Sequence, residues 1–404
     1  DMVRDINSYI TTIKNQIEKN HDEILSLSHE IHDNPEIGNQ EVKACKWLTD
    51  LLIKHGFEVK VNIATHPTGF IARKKGQNKG PVIGLLAEYD ALKGLGHACG
   101  HNIIAMTSVA AGIALAQIID QTGGEIVVFG TPAEEGGPHG NAKASYVAAN
   151  LFEGVDVCMM IHPFHTTAKT QPTLAIVPIE FEFFGKASHA ASAPEQGVNA
   201  LDAMILFYNG VNALRQQSPR DVLYHGIITH GGEAPNIIPD YTKASFYIRA
   251  AHHETCLIYK EKILHIGKGC AEATGCEFKY NDDFNQVHEM LICDRFEQLF
   301  IEEAKRLGLE VKLEGAKSIG STDAGNVSQV VPTIHPTLKI CDESITIHTQ
   351  HFKEAAISKV GDQAILDGAL ILASIGLRLL TEESLLNEIK NEFEQLKSLK
   401  SLVN

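Results

Sequence analysis

The chain has 404 residues, enough for two or three domains with cores of their own, and its 44% hydrophobic and 21% charged residues suit a globular protein. Its 50 acidic against 35 basic residues, a net charge of -15, argue against nucleic acid or an anionic membrane as partner, since either needs a basic face. The eight cysteines include no CxxC pair and mostly lie in apolar runs, which predicts reduced thiols and a cytoplasmic protein rather than a disulfide framework.

Residues 1–19 are polar and carry no apolar secretory core. Residues 3–32 and 40–55 read as two helices split by Asn34-Pro35-Glu36-Ile37-Gly38. Short strands are expected at 57–63 and 70–74, and the continuous apolar run 82–87 reads as a buried central strand. A Gly-rich loop then leads into a helix at 103–119. Residues 125–130 form another buried strand, followed by a helix near 142–151 and a strand over 155–161. Strands alternating with helices predict an α/β domain with a mostly parallel sheet, whose site lies beyond the carboxyl ends of the strands. Near residue 176 the pattern changes. Val177, Ile179, Phe181 and Phe183 alternate with polar residues or proline, as in a strand buried on one face. A helix (199–216), strands (224–230 and 243–249), a second helix (254–274) and a strand (276–280) complete β-α-β-β-α-β, a ferredoxin-like unit inserted at 176–284. Residues 1–175 and 285–404 form the other domain, with a helix at 294–307, strands at 309–313 and 333–340, and long helices from about 354. The apolar stretch 364–380, broken by Asp367 and Arg378, reads as too short to span a bilayer.

Two loops carry chemistry. Gly96-His97-Ala98-Cys99-Gly100-His101-Asn102 places a thiol and an imidazole two residues apart, and Thr131-Pro132-Ala133-Glu134-Glu135-Gly136-Gly137 places adjacent carboxylates after a strand. Thiolate, imidazole and carboxylate are the side chains that bind zinc-like ions, and a spare carboxylate beside a ligand can serve as base to an activated water. Each feature alone has an ordinary reading: a buried thiol, a solvated acidic loop, a hydrogen-bonded histidine at a strand end. Asp90, Glu134, Glu135 and His162 all follow strand ends, however, and their agreement points to a metal-dependent hydrolase.

With these motifs the chain resembles the dinuclear-metal aminoacylase/carboxypeptidase family of amidohydrolases, which includes aminoacylases, p-aminobenzoyl-glutamate hydrolases, plant auxin-amino-acid conjugate hydrolases and several dipeptidases. The resemblance runs from Asn34-Pro35-Glu36 to His348. His97-Ala98-Cys99-Gly100-His101 is similar to the branch with Cys in the metal loop, and Gly320-Ser321-Thr322-Asp323-Ala324-Gly325-Asn326-Val327-Ser328 looks like the p-aminobenzoyl-glutamate hydrolase and dipeptidase subgroup. The resemblance implies a metallopeptidase catalytic domain with a ferredoxin-like lid or dimerisation domain, and hence a homodimer or a dimer of dimers. It implies two divalent ions, zinc favoured and manganese the other candidate, held by Cys99, His101, Glu135, His162 and a late histidine. The family spacing favours His348 for the last, with His351 as runner-up. Glu134 would be the general base and acid, and Asp90 would orient a ligand. His189, in Gly185-Lys186-Ala187-Ser188-His189-Ala190, would stabilise the oxyanion and act in the site of a neighbouring copy. Asn236 and Arg249 would grip a substrate carboxylate, with Ser321, Thr322 and Asp323 also lining the substrate. The plain alternatives are that Asn236 shapes a turn before Pro239 and that Arg249 lies on a polar strand face. Two positions depart from the pattern: Asn102 where many relatives have Asp, and Glu88 where many have Asp or His.

The expected activity is hydrolysis of the amide bond of N-acyl amino acids, aminobenzoyl-glutamate-like conjugates or dipeptides. Two rival readings stand beside it. Cys99 could be a nucleophile activated by His101, although residues two apart in a tight loop rarely face each other as such a pair. The chain could also be a non-catalytic binding protein on a peptidase fold, although such proteins usually lack the base or a ligand.

Overall fold

A computed structural model describes residues 2–314 and 320–403. The chain forms two compact units, one comprising the described residues up to Pro172 together with those from Met290 on, the other Thr173–Glu289.

The first unit is built on a six-stranded sheet. Its strands are β1 (Glu58–Ile63), β2 (His66–Lys75), β3 (Val82–Ala87), β4 (Glu125–Gly130), β5 (Val157–Met159) and, late in the chain, β11 (Thr333–Ile334), in the order β1-β2-β4-β3-β5-β11. The central strands β4, β3, β5 and β11 run parallel, while β2 and β1 add an antiparallel edge, so the sheet is mixed. β4 is buried along its whole length and β3 from Ile83 on, as their unbroken apolar sequences require. The helix His101–Ala116 is buried at every residue and packs beside the helix Lys359–Thr381. At close contacts, Gly368 lies against Thr107 and Gly376 against Leu115. This second helix has 23 residues and extends beyond both ends of the apolar stretch 364–380. Length and composition alone would let it cross a membrane, but two thirds of its most apolar window (67%) is buried in the fold.

Several boundaries differ from expectation. The N-terminal helix is two, Met2–Lys19 and His21–Asp33, because the backbone breaks at Asn20. The expected strand 155–161 shortens to β5, and the expected strand 333–340 is divided: β11 stays in the main sheet, and Thr337–Lys339 (β12) pairs in parallel with His162–Phe164 (β6) in a separate two-stranded sheet. Residues 309–313 form no strand; Lys312 makes one isolated bridge, to Ala168.

The second unit is a four-stranded antiparallel sheet of β7 (Ala175–Phe184), β8 (Leu223–His230), β9 (Tyr241–Ala250) and β10 (Glu277–Asn281) in the order β10-β7-β9-β8. The helices Ala200–Arg215 and His253–Thr274 cover one face. The order is that of a ferredoxin-like fold. Its core joins Phe181 and Phe183 to Phe207 and Phe246, from the residues that alternated in the sequence.

Candidate metal centre

The centre forms where the chain leaves β3 and β4. Gly100 precedes the helix His101–Ala116 with φ of 73°, and a Cβ there would meet the Pro163 ring at 2.6 Å; only glycine fits. That turn carries Cys99 and His101 into the interior, where both are buried. Asp90 joins the two motif loops. Its Oδ1 accepts from His101 Nδ1 at 2.8 Å, and its Oδ2 accepts from the backbone N–H of Glu135 at 3.0 Å. Because the His101 proton is on Nδ1, its Nε2 lone pair faces the cluster, buried and without a hydrogen-bond partner. The same logic applies to His162, whose Nδ1 donates to the Pro163 carbonyl at 2.6 Å and whose Nε2 lies 3.5 Å from Cys99 Sγ.

His348, at φ 63°, is placed by its backbone N–H on the Ala98 carbonyl at 2.9 Å, and its Nε2 lies 3.4 Å from Glu135 Oε1. His101 Nε2 is also 3.4 Å from Glu135 Oε1. Nitrogen and oxygen ligands of a tetrahedral ion, at about 2.0–2.1 Å from it, lie about 3.3–3.4 Å apart, and a sulfur–nitrogen pair about 3.5 Å. The distances found have that spacing. Cys99, His101 and His162 form one group able to hold an ion, and Cys99, Glu135 and His348 a second, so two groups share the thiol. The orphaned, buried His101 Nε2 and Glu135 Oε1 support the fit, since unpaired buried polar atoms call for a partner such as a cation. Of the two late histidines, His348 is in this group and His351 is exposed in the helix Gln350–Ala355.

Glu134 lies 3.7 Å from His101 Nε2. Burial, then the charges of Glu88 and Glu135, push its carboxyl well above the usual range. Glu135 goes the other way: burial would raise it, but His348, with Nε2 3.4 Å from Glu135 Oε1, holds it down at about 2. Burial and Glu135 push the Cys99 thiol up, which disfavours a free thiolate nucleophile.

Other expected site residues are elsewhere. Asp323 is fully buried, with Oδ1 accepting from Lys143 Nζ at 2.9 Å and Oδ2 from the Lys143 backbone at 3.2 Å; it anchors a lysine under the cluster, a correction to the expectation that it lines the substrate. Thr322 is buried and its hydroxyl accepts from the Ala324 N–H at 3.2 Å, again a local structural bond, and Ser321 is half-buried beside it. His189, Asn236 and Arg249 belong to the second unit. His189 is exposed, and its Nδ1 accepts from the Ala191 and Ser192 N–H groups at 3.2 and 3.1 Å, so the ring proton is on Nε2. Asn236 is exposed on the adjoining loop, its carbonyl accepting from Ala190 N–H at 3.0 Å. Arg249, half-buried on β9, donates from Nε to His225 Nε2 at 2.9 Å and lies beside the Tyr247 ring.

Sequence reasoning missed Lys143 altogether. A lone lysine in the apolar stretch Ala142-Lys143-Ala144 was the available signal. It also missed Glu41, whose buried carboxylate accepts from the Ala133 N–H at 2.9 Å and from the Thr68 hydroxyl at 2.9 Å, holding the loop that carries Glu134. Asn102 proves to be a structural donor: its amide reaches Ser28 Oγ and the Ala356 carbonyl, both at 3.0 Å, and a carboxylate could not donate to that carbonyl.

Residues 176–266 match the profile of a peptidase dimerisation domain. The chain is 38% identical over 323 residues to a Mus musculus Xaa-Arg dipeptidase, covering 77% of this chain and 73% of the relative. It is 34% identical over 388 residues to a Homo sapiens Xaa-Arg dipeptidase, covering 91% and 88%. It is 33% identical over 284 residues to one of the chains of the Escherichia coli p-aminobenzoyl-glutamate hydrolase, covering 65% and 58%. Among solved structures, a Bacillus subtilis dinuclear metal binding peptidase from the M20 family has the same fold, with a TM-score of 0.65 at 19% identity over 90% of this chain and 99% of that one.

Proposed function

Because the chain belongs to the M20 peptidase family, whose members here are peptidases and amidohydrolases, we propose that it cleaves the amide bond of dipeptides and N-acyl amino acids with two divalent ions held by Cys99, His101, Glu135, His162 and His348. The observation that carries this reading is the pair of ligand groups sharing Cys99, with the Glu134 carboxylate beside them. Bound there, the ions would supply the Lewis acidity that makes water a nucleophile near neutral pH. Glu134 takes a proton from that water and gives it to the amide nitrogen as the C–N bond breaks, a task its raised proton affinity suits. His189, with its proton on the outward nitrogen, donates to the developing oxyanion. Arg249 and Asn236 hold the free carboxylate of the substrate. The thiolate favours zinc, while imidazole and carboxylate donors also suit manganese.

The match to a dimerisation domain supports an assembly of two or more copies. So does the edge strand β8, which exposes Ile227 and Ile228 and, among the described residues, has a backbone edge that no strand pairs. In that assembly His189 serves the centre of a second copy.

The names of the relatives make dipeptides ending in arginine the first substrates to try. A release assay across Xaa-Arg and other dipeptides, N-acyl amino acids and p-aminobenzoyl-glutamate, with zinc or manganese added, tests the reading. Turnover that a chelator abolishes and either metal restores is the expected result. Turnover indifferent to chelation would return the reaction to Cys99 as nucleophile, and no turnover with any substrate would favour a binding protein.

A further inference from the structure

The five residues expected as ligands leave one buried carboxylate unexplained. Glu88 follows β3 and has no exposed surface. Its Oε2 accepts from Lys143 Nζ at 2.6 Å, and the same ammonium donates to Asp323 Oδ1 at 2.9 Å. All three side chains are fully buried. The lysine thereby fixes which way the Glu88 carboxylate turns. The other oxygen, Oε1, has no hydrogen-bond partner and lies 3.4 Å from His101 Nε2, which has none either. In neutral His101, the form that can ligate an ion, the Nδ1 proton goes to Asp90 and both facing atoms present lone pairs. Two buried acceptors at that separation repel unless something positive lies between them. Their spacing is also that of two ligands on one ion.

We propose that Glu88, through Oε1, is a sixth protein ligand, binding the ion held by His101, and that Lys143 and Asp323 are positioning residues that aim it. This rests on the metal-dependent reading above. Glu88, His101 and Glu134 can indeed present one atom each within ligand reach of one another. The Lys143 charge, shared between Glu88 and Asp323, offsets part of the added negative charge and so lowers the cost of bringing a second acid to the centre. The extra hard oxygen donor shifts the preference of this ion toward manganese relative to zinc.

The test is metal binding rather than turnover. The full chain, stripped by a chelator, is titrated with zinc or with manganese alone by calorimetry, and elemental analysis gives the stoichiometry. Glu88→Gln keeps the side-chain volume and removes the charge. It is expected to raise the Kd of one ion by about 100-fold or more, with a larger effect for manganese, and to leave the other within about threefold. Glu88→Asp keeps the charge opposite Lys143, so it guards against a folding failure; its shorter reach is expected to weaken the same ion by about tenfold or more. Circular dichroism establishes that each variant is folded. Unchanged affinity for both ions in a folded variant overturns the proposal, and so does an equal loss of both, which would make Glu88 a general support of the cluster. If the wild-type chain takes only one ion, the two-ion reading fails, and Glu88 then stands or falls on whether Glu88→Gln weakens that ion.

Discussion

Within the centre, neighbouring carboxylates differ through their surroundings. Glu134 and Glu135 are adjacent in the chain, yet burial and like charges raise one while His348 lowers the other. Glu134→Gln is therefore expected to keep both metal and fold and to lose about 10²–10⁴-fold in kcat, because it removes the proton carrier and no ligand. Near-normal kcat in this variant would defeat the assignment. Glu135→Gln should instead lose metal, which elemental analysis detects. Arg249→Ala is expected to raise KM for substrates with a free carboxylate by about 10- to 100-fold, the equivalent of roughly 1.5–3 kcal/mol for a charge-assisted pair, and to spare the corresponding amides. An equal effect on both substrate types would mean that Arg249 acts through its bond to His225 and not on substrate. The residues of the centre were legible because Cys, His and paired Glu are conspicuous in Gly-rich loops. Lys143 was not, because a buried lysine looks like a surface one until its two carboxylate partners are known.

At the scale of elements, the loop after β4 is held from outside. Ala133 has φ of 58°, which costs an alanine of order 1–3 kcal/mol, and its N–H is bonded by Glu41 from the turn before the helix Val42–Lys54. Burial, reinforced by the charge of Asp90, raises Glu41 from 4.5 to about 8. The folded protein thus keeps this proton up to about pH 8, while the unfolded chain loses it near 4.5. Stability is expected to be highest below the lower value, to fall as pH rises through this window and to level off above it. Thermal unfolding followed from pH 5 to 9 should show that decline, and Glu41→Gln, which keeps the neutral form, should flatten it. An undiminished slope in the variant would assign the decline to other groups. The strands β3 and β4 were readable because both sheet faces are covered, which demands unbroken apolar runs. The division of 333–340 between two sheets was not, since apolar continuity does not reveal where a chain changes partners.

At the scale of the molecule, the residues proposed as ligands lie in one unit and His189, Asn236 and Arg249 in the other. If His189 serves a second copy, subunits carrying Glu134→Ala and subunits carrying His189→Ala should each be nearly inactive. After random reassociation of equal amounts, half of the dimers are mixed and each has one complete centre of two, so activity should recover to about a quarter of wild type. Exchange of chains demonstrated by labelling, without any recovery, would place His189 in its own chain's reaction or outside it.

By itself the sequence determined the kind of fold and the chemical character of the site. Apolar runs without polar interruption specify buried parallel strands, strict alternation specifies a sheet covered on one face, and thiol, imidazole and carboxylate in glycine loops mark a candidate metal site. These are local properties, written in periodicity and residue type. Only the tertiary structure decided which atoms meet. It set His348 beside Cys99 and Glu135 and His351 at an exposed helix position, joined the buried Asp323 to Lys143, and set Glu88 against His101. Those outcomes depend on contacts between residues as far apart as Lys143 and Asp323, and no pattern in a linear chain encodes the distance between two side chains that only the packed sheet and helices bring together.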